Sequence, residues 1–213
     1  METYLTVTEH GSRHPPGDGL MARMRKALVI LLCTSLLAFA PTKPLAPEAA
    51  RRIARESVAD ILDALARSDF RRLASHVGPE GLIVSPYVVL HDGSTRLSRA
   101  EVERCGRDRR MRHWGEMDGS GDPIRRTCRR YFAEFVWNVD YRHADEVLYN
   151  EPRQRGNSIN NNHEFAPDGI VVELHIRGKS AETELGWKSL RLVFRKGDQG
   201  LSLIAITRDV WTI

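Results

Sequence analysis

The residues best suited to proton chemistry lie late in the chain. Asp209 stands between the apolar run of residues 201–206 and Trp211, and a strand near the middle of a sheet would bury its carboxyl. Apolar walls raise a carboxyl pKa toward the range where it can pass a proton, so Asp209 is a candidate general acid or base. His175 is the second candidate. It alternates with Glu173 and Arg177 opposite Val172, Leu174 and Ile176, as on the two sides of one strand. Each has a plainer reading. An exposed polar face accounts for the Glu173, His175, Arg177 triplet, and a salt bridge to an arginine, or a cap on the last hairpin turn, accounts for Asp209. Asp140 and Tyr141 complete the set of proton carriers. No Ser-His-Asp order, glycine-rich phosphate loop or paired-carboxylate spacing stands out. A non-catalytic role is therefore the expectation, with a small isomerase, dehydratase or hydrolase as the alternative.

A second group of residues suits binding: Trp114, Asp118, Tyr141, Asn160, Trp187, Arg191 and Trp211. Indole offers a flat apolar wall and one donor, although Trp114, Trp137, Trp187 and Trp211 serve equally as core packing. Asn157, Asn160, Asn161 and Asn162 tolerate left-handed backbone and can bond a loop to itself. Tryptophans beside asparagines would also suit a glycan or peptidoglycan fragment. Asp118-Gly-Ser-Gly121 is rich in oxygen but lacks the acidic alternation and terminal Glu of a calcium loop, so it reads as a tight turn ahead of a helix. No metal site or cofactor is expected.

These side chains need elements to hold them. Leu190, Leu192 and Phe194 alternate with Ser189, Arg191 and Val193, then Lys196-Gly-Asp-Gln-Gly200 supplies turn chemistry, and residues 201–213 return as a second strand. That hairpin is marginal alone and needs a layer to rest on. Residues 48–67 provide it, an amphipathic helix with Ile53, Val58, Ile61, Leu62 and Leu65 on one side. A short helix follows at residues 70–76, ending at His76, then strand-like runs at residues 82–85 and 87–90 separated by Pro86. His91-Asp-Gly-Ser94 is a turn, and Ser98-Arg-Ala-Glu101 is a capping box. Residues 107–112 read as a solvated charged loop or an anion-binding patch, and Pro123 as the first turn of a helix through Val136. Strands resume at residues 146–149 and 170–176, with a polar loop at residues 151–162 between them. Helices first and strands later give an α+β fold, a curved antiparallel sheet around a long N-terminal helix, whose open end could hold a ligand.

The front of the chain reads as an export signal. Met21-Ala-Arg-Met-Arg-Lys26 is a basic start, residues 27–38 are an apolar run, and Ala38-Phe-Ala40 is a signal-peptidase site. The expected organisation is an extension and cleavable signal over residues 1–40, a proline-rich linker at 41–47 and one domain over 48–213. Residues 1–20 fit no signal, so translation from Met21 or Met24 is an alternative to Met1. The mature protein would be periplasmic or extracellular, with no stable membrane span. Cys33 follows residues too bulky for a lipidation site and leaves with the signal. Cys105 and Cys128 remain, either a disulfide or two buried thiols. The net charge is +4, but 27 of the 32 basic residues are Arg and acidic residues are interspersed, which argues against a nucleic-acid partner. A small molecule, cell-wall fragment or protein is the expected partner, with a homodimer through the sheet as a further arrangement.

Four segments, Trp114-Gly-Glu-Met-Asp-Gly-Ser-Gly-Asp-Pro-Ile124, Gly156-Asn-Ser-Ile-Asn-Asn161, Trp187-Lys-Ser-Leu-Arg-Leu-Val-Phe194 and Asp209-Val-Trp-Thr-Ile213, resemble a group of exported bacterial proteins of unknown function, many of them lipoproteins. Their domain is similar to the nuclear-transport-factor-2-like, or cystatin-like, cone. The resemblance spans about residues 50–213 and implies a fold, not an activity. In members of that superfold that move protons, the acid or base lies inside the cone, which is where the resemblance would put Asp209 or His175. This chain lacks the lipidation cysteine, so a free exported protein is expected.

Overall fold

The first helix, α1 (Pro47–Arg67), is set by one stripe of small and aliphatic side chains. Ala50, Ala54, Val58, Ile61, Leu62, Ala64 and Leu65 are buried along it. Pro47 occupies the first turn, where a missing N–H costs nothing. Ser68 ends the helix in the left-handed conformation, and the Ser68 and Asp69 N–H groups return to the Leu65 and Ala64 carbonyls. Ile53, expected in the stripe, is 42% exposed. At 3.6 residues per turn it lies about 100° from the stripe's middle, and Ala50 and Ala54 take the inward positions instead. The structure is a computed structural model that describes residues 44–178, 186–197 and 200–211. The expected signal, residues 41–43 of the linker, residues 179–185, the turn residues Asp198 and Gln199, and the last two residues lie outside that set.

The chain continues through α2 (Phe70–Ser75), β1 (Leu82–Ser85), β2 (Thr95–Leu97), α3 (Arg99–Arg104), β3 (Arg112–Glu116), β4 (Pro123–Arg126) and α4 (Cys128–Tyr131). A π-helical turn (Phe132–Val136) extends α4, and a single 3-10 turn (Tyr141–His143) precedes β5 (Glu146–Tyr149). The last elements are α5 (Asn162–Phe165), β6 (Ile170–Ile176), β7 (Lys188–Gly197) and β8 (Gly200–Val210). Six strands form one sheet in the order β2-β1-β8-β7-β6-β5, and β3 and β4 form a separate ribbon. The expected sheet was antiparallel throughout. The pairing of β1 with β8 is parallel, because the chain leaving α2 runs in the direction of β8, with Leu203 donating to the His76 carbonyl ahead of it.

Alternation along the strands gives the sheet two faces. Leu190 and Leu192 of β7, Val172 and Leu174 of β6 and Ile206 of β8 pack with Ile61 and Leu65 of α1 in the main core, as the terminal hairpin requires. Phe194 joins them. A bulge then breaks the β7–β8 register, since Val193 pairs with Ala205 and Phe194 with Leu203. The extra residue, Ile204, joins Val171, Val193 and Ala205 in a second cluster on the far face, and such a bulge bends the strand that carries it.

Several local expectations are corrected. Residues 87–90 form no strand, the chain bending at residues 86–88, since Ser85 Oγ, bonded to both the Tyr87 N–H and the Val89 carbonyl, turns the chain. Pro123 opens β4, and α4 starts behind Thr127, whose hydroxyl accepts from the Arg130 N–H. The turn around Asp118 therefore joins two strands. Arg112 belongs to β3 and reaches Glu101 and Asp108, so the charged segment is partly internal. The capping box at Ser98 and Glu101 is present. Cys105 and Cys128, both buried, form a disulfide that ties the end of α3 to the start of α4.

Candidate functional site

The face of the sheet turned away from α1 carries a line of charges. Glu173 pairs with Arg191, and Ser189 with both His175 and Asp209, across neighbouring strands. An exposed polar face was expected here, yet Glu173 is 3%, His175 7%, Asp209 7% and Arg191 0% exposed. Residues 150–166 fold back over them. Arg155 reaches from that segment to Glu146 at 2.5 Å and also bonds Glu173. Asn162 donates to the Val88 carbonyl at 2.8 Å and accepts from the Thr207 hydroxyl at 3.1 Å. The charges then alternate across the sheet: Glu146, Arg155, Glu173, Arg191 at 3.1 Å from Glu173, and Asp209 at 3.3 Å from Arg191. Buried charge is tolerated when paired in this way. Ser189 links the line to His175, donating to Glu173 at 3.0 Å and lying 2.9 Å from His175 Nδ1.

Burial tunes two groups in this network. It holds the His175 imidazole below its ordinary pKa of 6.5, with the Arg155 charge acting in the same sense. It pushes the Asp209 carboxyl above 3.8, while Arg191 opposes the rise. Asp209 is thus buried as the sequence suggested. It is paired to an arginine, as its plainer reading held, but in the interior rather than at the surface. Neither Asp209 nor His175 lies inside the cone: strand alternation turns both away from α1. A recess of about 70 Å³ is lined by Asp209, Trp187, Trp211 and residues 156–158, and Trp187 also tilts against the His175 ring at 5.8 Å. Gly156 lies so close to the Trp187 ring that a Cβ there would come within 3.2 Å.

The helix side of the sheet holds a different chemistry. Trp114 stacks on Tyr131 at 4.0 Å, Tyr131 on Phe135 at 5.2 Å, and the Arg208 guanidinium lies over Phe135 at 5.3 Å. Trp114 donates to the Arg126 carbonyl at 2.9 Å. The hydroxyls of Tyr131 and Tyr141 and Nε of Arg208 are buried with no hydrogen-bond partner. Burial raises the pKa of both phenols, Tyr141 to about 12, so each stays a neutral O–H. Tyr87 closes this end. Its hydroxyl donates to the Glu116 carbonyl and accepts from the Asp118 N–H, each at 2.6 Å.

The seven expected binding residues therefore divide. Trp114, Asp118 and Tyr141 belong to the helix side and its rim, and Trp187, Arg191 and Trp211 to the far side. Asn160 accepts from the Asn162 N–H and side-chain amide, the self-bonded loop of its plainer reading. Asp140 accepts from Arg142 on the surface. Among the described residues no three His, Cys, Asp or Glu side chains gather as metal ligands. Sequence reasoning missed Arg155 and Arg208, and gave Asn162 only a place in a self-bonded loop. Only Arg208 left a local signal, a charge two residues beyond Ile206 at an inward position of β8.

No protein-family model matches the chain, and no curated protein matches it. Among solved structures it is similar to a domain of unknown function with a cystatin-like fold from Nostoc punctiforme, at 13% identity over 79% of this chain and 81% of that one, with a TM-score of 0.38. A nuclear-transport-factor-2-like protein with a cystatin-like fold from Novosphingobium aromaticivorans is similar at 14% identity over 91% and 92%, TM-score 0.34. A hexachlorocyclohexane dehydrochlorinase is similar at 10% identity over 76% and 84%, TM-score 0.33. No activity, ligand or partner is taken from these likenesses.

Proposed function

We propose that this is an exported, non-catalytic binding domain that takes a small molecule, a cell-wall fragment or a protein partner along the rim beside Tyr87. The observation that carries the reading is a pair of adjoining recesses of about 350 and 470 Å³ that share Tyr87, Val89 and Glu116. Trp114 walls one, and Asp118, Ser158 and Ile159 wall the other. Ile159 is 74% and neighbouring Met117 44% exposed, so apolar surface beside acidic Glu116 and Asp118 is offered to a partner. Burial of Asp209 and His175 in a bonded network argues in the same direction. Thermal-shift screening of residues 41–213 against metabolites and wall fragments tests the reading, with Tyr87→Ala and Ile159→Ser as controls. A compound that raises the melting temperature of the native chain and not of these variants supports it. Stabilisers that act on all three chains alike overturn it.

One observation favours a second reading, an acid/base enzyme. Asp209 lines a recess between Trp187 and Trp211 with its carboxyl pKa raised by burial. A space of about 70 Å³ is well below the size of ordinary ligand pockets, roughly 300 Å³ upward, and the Arg191 pairing keeps the carboxylate from acting as a free base.

A further inference from the structure

We propose that Arg208 is the seat of a singly charged anion, a small carboxylate, on the helix side of the sheet, where the Tyr131 and Tyr141 hydroxyls are also without partners. The guanidinium is partly buried on the helix side of β8, over the Phe135 ring. Among the described residues no carboxylate forms an ion pair with it. Asp209, its neighbour in sequence, points to the opposite face and pairs with Arg191. Among the described residues the fully buried charges Glu173, Arg191 and Asp209 each have a counter-ion. Arg208, by contrast, pairs only with an aromatic face, and its Nε lies buried without an acceptor, as do the Nε atoms of Arg112 and Arg191, which have carboxylate partners.

The surroundings select the chemistry. A guanidinium is a planar fork that matches a carboxylate. Tyr87, Tyr131 and Tyr141 all lie within its electrostatic reach, and the unpartnered Tyr131 and Tyr141 hydroxyls are neutral donors in the same neighbourhood. One positive charge among neutral donors balances one negative charge. A phosphate dianion would be left half-compensated in a partly buried place, which is why the site favours a monocarboxylate. The inference goes beyond binding at the rim, because it names an interior group and the charge of what it holds.

The test uses acetate and benzoate with their amides, at constant ionic strength, on the full exported chain and on Arg208→Met, Arg208→Lys and Tyr131→Phe. The acids are expected to raise the native melting temperature and the amides not to, with inorganic phosphate weaker than either acid. Affinity for benzoate should fall about ten- to a hundredfold in Arg208→Met, the range for a hydrogen bond to a charged group, and less in Arg208→Lys and Tyr131→Phe. Without any carboxylate, Arg208→Met should melt above the native chain, since an unpaired, partly buried charge has been replaced by an apolar side chain. A purely structural arginine would give the reverse. Equal response to acid and amide, equal response of native and Arg208→Met chains, no response to either acid, or a lower melting temperature for Arg208→Met each overturns the proposal. Loss of rim binding in Ile159→Ser with the carboxylate response intact separates the two sites.

Discussion

Single side chains on the far face of the sheet carry charge that water no longer screens, and their removal is correspondingly costly. Arg191 is fully buried between Glu173 and Asp209. Arg191→Met leaves Asp209 without its partner and Glu173 with Arg155 alone, and is expected to destabilise by about 3–5 kcal/mol, the range for one half of a buried pair. Urea unfolding measures it, and a loss below about 1 kcal/mol would show that Arg155 and solvent compensate. His175 gives a pH signature. Burial holds its folded pKa below 6.5, so between pH 6.5 and that lower value the unfolded chain binds the extra proton. Stability must therefore decline as pH falls through this window. His175→Gln should flatten the fall in melting temperature as pH drops below 6.5, and an unchanged slope would assign it to other groups. This network was only half legible. The alternation that put Glu173 and His175 together is local, whereas their burial depends on Arg155 and Asn162 arriving from a loop whose composition looked merely polar.

At the scale of elements, what could be read was whatever the backbone period or a cap determines. The α1 stripe, the capping box of α3 and the β7–β8 hairpin follow from spacing alone. What escaped was competition between similar local signals. Pro123 suits the start of a helix or of an edge strand, and Thr127, the cap that α4 uses, decides for the strand. Two measurements weigh these readings. Ile61→Ala empties a site that is 0% exposed and should cost about 2–5 kcal/mol, while Ile53→Ala, at 42% exposure, should stay within about 0.5 kcal/mol. Equal costs would mean that the helix is seated a residue out of register. The second concerns α3, where the Glu101 carboxylate accepts from the Ser98 N–H and from Arg112 and is held at about 2 against an ordinary 4.5. A depressed carboxyl contributes stability that is complete above pH 4.5 and lost as pH falls toward 2. Glu101→Gln should remove that part of the acid transition while leaving the neutral-pH contribution of the cap largely in place, and melting curves from pH 5 to about 2 follow it.

For the molecule as a whole, the two faces of the sheet have separate tasks: α1 and the aromatic stack close one side, and residues 150–166 seal the other over its paired charges. The segment of residues 105–128 carries the β3–β4 ribbon, and its Trp114 both joins the aromatic stack and walls a rim recess. The Cys105–Cys128 bond closes that segment at its base, so it is the covalent element most directly tied to the proposed binding rim. A closed loop of this length stabilises by about 3 kcal/mol in the chain-entropy account. Such bonds persist where the surroundings are oxidising, which makes the bond the point at which fold and proposed export can be tested together. A chain recovered from outside the cytoplasm should begin at Pro41 by mass spectrometry, show no free thiol at Cys105 or Cys128, and melt well above the same chain reduced or carrying Cys105→Ser and Cys128→Ser. Reduction should weaken rim binding before it unfolds the sheet, because the strands around β7 and β8 hold their register without the bond. A protein found with both thiols free in its native compartment, and no less stable for it, would remove the export reading and leave the cysteines as ordinary core residues.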